Sequence, residues 1–323
     1  MKKTLKWIGI LTITILVMLV YSGTYLDVPR KELEAKYATG SSQFLDLPDG
    51  ARIHFRDEGK PENPAIVLLH GFNGSLFNFE RLVPFLVNDF RLISIDLPGF
   101  GLTGATPTAD YTTEGFIDVV TKLTNELGIE KFSIAGNSMG GGVAWRYTLE
   151  FPTKVEGLIL LASSGVGSKE DVKKFEEREN NTPIVWKLMG SDLLKKFLHY
   201  YTPKFFATEG LKRSVYDQQF ADVDHANQFH DLVLLQGSRD AILSMTMGGR
   251  RKMYGPESLS KITAPTLVIH GEEDNIIGFE RSLVFKENID NAEIKIYPEI
   301  GHLPMYEDPA RTADDILKFF QDL

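Results

Sequence analysis

The sequence predicts an α/β sandwich on a mostly parallel sheet, with a helical insertion and an apolar N-terminal segment. Three observations predict it. From about residue 41, short β-branched runs closed by glycine alternate with helix-patterned segments. Between about residues 166 and 250 that rhythm breaks. Ahead of both lies a long uncharged run behind three lysines.

Lys2, Lys3 and Lys6 precede Trp7 to Leu26, which carries no charge. A run of about twenty residues is long enough to span a bilayer as a helix. Lysines before it and mixed charge after it (Asp27, Arg30, Lys31, Glu32) place the N-terminus in the cytoplasm and the remainder outside. Residues 1–26 are therefore expected to be an uncleaved membrane anchor. A cleaved signal peptide is the alternative, but Val20-Tyr21-Ser22 is a poor cleavage site. Residues 27–40 read as a linker.

The core follows. "SSQFLDLPDGARIHFRDEG" reads as two strands joined at Pro48-Asp49-Gly50, a turn signal. "AIVLLHG" (65–71) and "RLISIDLPG" (91–99) are apolar runs closed by glycine, as strands buried on both faces require. Phe116, Val119, Val120, Leu123 and Leu127 share one face of a helix over Thr112 to Leu127, with Gly128 as its stop. "KFSIAG" (131–136) is a further buried strand, and "GVAWRYTLEF" (142–151) a helix halted by Pro152. "VEGLILLAS" (155–163), "APTLVIHG" (264–271) and "AEIKIYP" (292–298) are three more strands, and Pro309 to Phe320 a closing helix. Residues 41–165 and 251–323 thus form the core. Residues 166–250 form an inserted helical lid, charged at first ("SKEDVKKFEEREN") and then amphipathic and aromatic ("IVWKLMGSDLLKKFLHYYTPKFF").

Composition narrows the chemistry. The chain has 323 residues, 43% hydrophobic and 24% charged, with a formal charge of −9. That charge, with no basic stripe, argues against a nucleic-acid partner. With no cysteine there is no disulfide and no thiolate catalysis. No metal or nucleotide motif appears, and no cofactor is expected. "DLPGFGLTG" has three glycines but lacks the helix entry and later acid of a dinucleotide site, so it reads as a structural turn.

Gly136-Asn137-Ser138-Met139-Gly140 stands between a strand and a helix, the setting of a G-x-S-x-G nucleophile elbow. A serine hydroxyl needs a base to take its proton. Of the seven histidines, His302 follows the last strand in "GHLPMYEDP", and it is preferred because it comes last, after an acid, in the order Ser…Asp…His. The acid that fixes its tautomer lies in "HGEEDNIIG" (270–278). Asp274 stands where that loop turns and is preferred over Glu273 and Glu272, which are expected to face solvent. An oxyanion hole needs two backbone N–H groups. Met139, after the serine, and Phe72, in "HGFNGS", are the candidates.

With "LLHGFNGS" (68–75), "DLPGFGLT" (96–103), "GNSMGG" (136–141), "HGEEDNI" (270–276) and "GHLPMYEDP" (301–309) in this order, the chain from about residue 41 onward resembles the lid-bearing α/β-hydrolases. It is most similar to small bacterial esterases and lipases with "GNSMGG" and an N-terminal apolar segment. The resemblance implies Ser138, Asp274 and His302 as a triad, Phe72 and Met139 as oxyanion donors, and a small, apolar carboxylic ester as substrate. "GNSMGG" also occurs in hydrolases that split carbon–carbon bonds of aromatic ring-fission products. Those usually carry tryptophan after the catalytic histidine, where this chain has Leu303. Lactonase, thioesterase and peroxidase-like chemistry share the fold. In the lid, Trp186, Leu188, Met189, Leu193, Leu194, Phe197, Leu198, Tyr200, Tyr201, Phe205 and Phe206 are candidates to line an acyl pocket or to pack the lid onto the core.

Overall fold

The computed structural model describes residues 2–167, 170, 173, 192–247 and 254–322, without the side chains of residues 2–5, 16, 192–195 and 247. Eight strands form one sheet: β1 (Ser42–Asp46), β2 (Arg52–Glu58), β3 (Ala65–Leu69), β4 (Arg91–Ile95), β5 (Phe132–Asn137), β6 (Val155–Leu161), β7 (Thr266–Gly271) and β8 (Ala292–Tyr297). Their order across the sheet is β1-β2-β4-β3-β5-β6-β7-β8. β1 and β2 form a hairpin, and β2 is also antiparallel to β4; every other pair is parallel. β3, β5 and β7 are buried along their whole length, which is why their sequences carry no acid, lysine or arginine and are mostly apolar.

Helices cover both faces, as parallel crossovers require. In chain order they begin with α1 (Lys2–Ser22), α2 (Arg30–Tyr37), α3 (Val83–Leu86), α4 (Thr113–Glu126) and α5 (Met139–Glu150). The inserted helices are α6 (Asp192–Tyr200), α7 (Lys204–Ser214), α8 (Val223–Val233) and α9 (Ser238–Met247). α10 (Glu280–Asn288), α11 (Pro304–Glu307) and α12 (Pro309–Gln321) complete the chain. α4 starts where Thr112 Oγ1 accepts the Gly115 N–H at 3.1 Å, and α12 where Asp308 accepts the Arg311 N–H. One core layer joins Val67, Leu69, Ile134 and Val268 to Phe116, Val120, Trp145 and Phe285. The other joins Leu68, Ile159 and Ile269 to Phe79, Ile316 and Phe319. Burying one such side chain stabilises the fold by about 1.5–3 kcal/mol, so the two layers dominate its energetics.

The N-terminal segment departs from expectation. Its helix ends at Ser22 rather than reaching Leu26. The Tyr201 ring lies 2.5 Å from where a Gly23 side chain would start, so only glycine lets the chain pass there. Thr24 then pairs with Tyr201, and Val28 with Leu235. Trp7, Ile8, Leu11, Ile13, Val17, Met18 and Tyr21 are exposed. Among the described residues no helix is long and apolar enough to cross a membrane.

Residues 27–40 are not a plain linker either. They include α2, and they strap the insertion to the core. Arg239, nearly fully buried in α9, donates to Asp27 at 2.5 Å and to the Tyr25 carbonyl at 2.8 Å. Lys36 and Tyr37 both donate to Asp231 of α8. On the core side Arg30 donates to the carbonyls of Leu102 and Thr103, the latter at 2.7 Å. Removing the buried guanidinium leaves the Tyr25 carbonyl and Asp27 without their donor, at a cost of about 1–3 kcal/mol. Arg239→Met is therefore expected to lower the unfolding free energy of the full chain by that amount, read as a lower urea midpoint, while a surface change such as Lys60→Met leaves the midpoint in place.

Candidate active site

The site lies at the carboxyl ends of β3, β5 and β7, where open α/β sheets bind ligands. β5 ends at Asn137 and α5 begins at Met139, so Ser138 makes the whole strand-to-helix turn. Its backbone sits at φ 53°, ψ −114°, outside the ordinary regions for a side-chain-bearing residue. Such a conformation costs about 1–3 kcal/mol and persists only where its surroundings over-determine it. They do so here. The Ser138 N–H donates to Leu161, and its carbonyl accepts from Gly142 N, Ser164 N and Ser164 Oγ, each near 3.0 Å. A β-carbon on Gly140 would lie 2.2 Å from the Leu69 carbonyl oxygen, so that position admits glycine alone.

His302 and Asp274 meet directly. His302 Nδ1 is 2.6 Å from Asp274 Oδ2. The meeting depends on Gly271 at the end of β7, where a β-carbon would stand 2.1 Å from the Gly301 carbonyl. The other carboxylate oxygen of Asp274 accepts the N–H groups of Ile276 and Ile277 at 2.7 and 2.9 Å. Burial disfavours the charge on Asp274, but hydrogen bonds from His270 and His302 outweigh it and hold the carboxyl well below its usual range. Glu272 and Glu273 face solvent.

Ser138 is tied to this pair through its neighbour. Asn137 Nδ2 donates to the His302 carbonyl at 3.0 Å and to Leu161 at 3.1 Å. Ser138 Oγ and His302 make no hydrogen bond among the described residues, and apo sites commonly tighten only with substrate. The loop carrying Phe72 packs against the serine: a β-carbon on Gly71 would be 3.1 Å from Ser138 Cβ. His70 Nε2 accepts the Leu97 N–H, so Nδ1 carries the proton and donates to the Gly71 carbonyl at 2.7 Å. Burial lowers the pKa of His70 and keeps that ring neutral. Met139 opens α5, so its N–H has no intrahelical partner.

The insertion reaches the site. The His302 N–H donates to the Ser214 carbonyl at 2.8 Å. Buried Glu307 accepts from Gly301 N and Tyr216 N, at 2.8 and 2.7 Å, clamping the His302 loop to residues 214–217. Of the aromatic residues named as pocket candidates, Phe197, Tyr200, Phe205 and Phe206 are exposed, so they do not form a buried tunnel. Leu198 and Tyr201 are half-buried. Trp186, Leu188 and Met189 lie outside the described residues, as do the side chains of Leu193 and Leu194.

"DLPGFGLTG" is a turn closed on buried Asp96, which accepts the N–H groups of Leu76 and Leu102 and pairs with His54 at 2.6 Å. Two contacts escaped sequence reasoning. His270 reaches Asp274, and Glu307 grips the His302 loop. Each lies within a motif already singled out, "HGEED" and "LPMYEDP", but neither spacing alone says what its side chain touches.

The model of the α/β hydrolase fold family matches residues 64–309. Lipase 1 of Psychrobacter immobilis is 29% identical over 278 residues, 85% of this chain and 82% of the relative. A 2-hydroxy-6-oxononadienedioate/2-hydroxy-6-oxononatrienedioate hydrolase of Burkholderia vietnamiensis is 26% identical over 291 residues, 88% of this chain and 96% of its own. Among solved structures, a membrane phospholipase A described as a bacterial virulence factor shares the fold at a TM-score of 0.70 and 22% identity, covering 100% of this chain and 99% of its own. With the sheet order, the elbow and a family match over most of its length, the chain belongs to the α/β hydrolase fold family.

Proposed function

We propose that the protein hydrolyses carboxylic esters, with Ser138 as nucleophile, His302 as base and acid, and Asp274 as the residue that orients His302. The observation that carries this reading is the 2.6 Å contact of His302 Nδ1 with Asp274 Oδ2, beside a serine held at φ 53°. With the proton on Nδ1, Nε2 is the basic nitrogen. As Ser138 Oγ bonds to the ester carbonyl carbon, its proton moves to Nε2. The carbonyl π pair moves onto oxygen, where the N–H groups of Phe72 and Met139 stabilise it. Collapse breaks the bond to the alkoxide, which leaves with the proton from His302. Water then attacks the acyl-Ser138 by the same path, releasing the acid and restoring the serine.

Relatives named as lipases support ester cleavage. Relatives that cleave ring-fission products support a second reading, carbon–carbon hydrolysis by the same three residues. Ser138→Ala is expected to lower turnover by about 10³-fold or more, as losses of a triad serine do, and to abolish labelling by a fluorophosphonate. Near-native turnover in that variant sinks both readings. Parallel assay of aryl esters and a 2-hydroxy-6-oxodienoate separates the two, and turnover of the dienoate alone gives the second.

We further infer that the inserted helices act as a lid that favours apolar acyl groups. Support comes from the Ser214–His302 contact and from the leucines and aromatics of α6 and α7. Each buried methylene of a substrate chain then contributes about 0.8 kcal/mol. Phe197→Ala is expected to shift the chain-length preference of the aryl ester series while sparing the acetate. An unchanged preference in that variant and in Tyr201→Ala removes the idea.

Finally, we infer that α1 holds the enzyme on the outer face of a bilayer. Its support is the uncharged run behind Lys2, Lys3 and Lys6 and the exposed apolar side chains of α1. Full-length protein is expected to stay with membranes through a carbonate wash. Release with an intact N-terminus would refute the inference.

A further inference from the structure

His270 is buried and stands at the end of β7, four residues before Asp274. Its Nε2 lies 2.9 Å from Asp274 Oδ2 and 2.8 Å from the Ile277 carbonyl oxygen. Both partners are acceptors, so Nε2 carries the ring proton and shares it between them. The opposite nitrogen, Nδ1, is 2.5 Å from Ser282 Oγ, itself fully buried on α10. The ring is therefore fixed at both ends, by a strand on one side and a helix on the other.

This arrangement gives Asp274 four N–H donors. Ile276 and Ile277 hold Oδ1; His302 and His270 share Oδ2. The oxygen that orients His302 is thus the same oxygen that a second imidazole grips. Rotation about the Cβ–Cγ bond moves both oxygens, so the two backbone donors on Oδ1 already oppose it. The His270 donor on Oδ2, anchored in the sheet, holds the second oxygen directly. When His302 becomes an imidazolium during turnover, Oδ2 has to keep its place within a few tenths of an ångström.

We propose that His270 is a positioning residue of the catalytic site: its Nε2–H holds Asp274 Oδ2 in line with His302 Nδ1, and Ser282 holds the His270 ring. The proposal rests on the triad reading given above and adds a fourth and fifth residue to it. The Ser282–His270–Asp274–His302 chain runs from α10 through β7 to the loop before α11, so three separate elements converge on one hydrogen-bond line.

The test uses the full-length chain with His270→Phe, which keeps ring volume but donates nothing, and His270→Gln, whose side-chain amide reaches the place of Nε2. Steady-state kinetics on a short aryl ester are read together with the low-field proton resonance of the His302 Nδ1–H. His270→Phe is expected to lower kcat about tenfold or more at nearly unchanged KM, the loss due when a charged acceptor gives up one donor. It is also expected to move the low-field resonance, and His270→Gln to restore most of both. Equal losses in the two variants with an unmoved resonance, or full activity in His270→Phe, overturn the proposal. Should His270→Phe not fold, Ser282→Ala decides: it frees the ring at Nδ1, so a shifted resonance and lowered kcat support the role, and wild-type values refute it. If the parent chain shows neither ester turnover nor phosphonate labelling, the triad reading fails. The resonance of the variants still reports whether His270 grips Asp274.

Discussion

The strained backbone of Ser138 is the constraint from which the rest of the site follows. A residue at φ 53° with a side chain is unstable unless its neighbours leave it no alternative. The neighbours here are the Leu69 carbonyl against Gly140, the Leu161 carbonyl on its N–H, and Ser164 on its own carbonyl. They come from β3, β6 and the loop after β6. The sheet must therefore be complete before the turn can be held. Strand order and the geometry of Ser138 are in that sense one problem, since displacing β3 from β5 removes the surface on which Gly140 rests.

The second constraint is electrostatic. A carboxylate at the buried end of β7 is costly unless its charge is matched by donors. Asp274 is given four, and the two nearest its working oxygen are both histidines. The loop that supplies His302 is in turn gripped by Glu307, whose burial pushes its carboxyl up while the backbone N–H groups it accepts pull the other way. Asp274 and His302 are thus held from below by the sheet and from above by residues 214–217 of the insertion. That contact brings the inserted helices next to the His302 loop, and the same helices enter both apolar layers, Ala241 and Met245 of α9 on one face of the sheet and Leu211 of α7 and Ala226 of α8 on the other.

Much of this was legible in the amino-acid order. Strands buried on both faces, such as β3, β5 and β7, announce themselves as uncharged, mostly apolar runs, and all three were read at nearly their true bounds. The Asp274–His302 pair was named from its place after strands, because loops at strand ends have few places to go. α10 went unread, since only Ser282 and Phe285 of its nine residues are buried and its pattern is faint. α2 was taken for linker because it is short and charged and buries only Leu33. α1 was drawn too long because apolar composition continues past Gly23, whereas its end is set by a tyrosine 178 positions later in the chain, paired with Thr24. The Arg239–Asp27 bond spans 212 positions, and no local pattern encodes such a contact. His270 was seen as a strand end, which it is. Its second role depends on a loop folding back over it.

The strap formed by residues 24–38 has a mechanical consequence. The inserted helices already touch the core through the Ser214–His302 and Tyr216–Glu307 bonds and through apolar contacts. The strap adds a further attachment, fastened to α8 and α9 on one side and to the Leu102–Thr103 turn on the other. The inserted helices then cannot swing open as a simple flap: they either shed the Asp27–Arg239 bond or take the strap with them. Tension applied at α1 is transmitted through Thr24 and Val28 to the same helices. Anything that pulls on the N-terminus therefore bears on the helices that contact the His302 loop before it bears on the sheet.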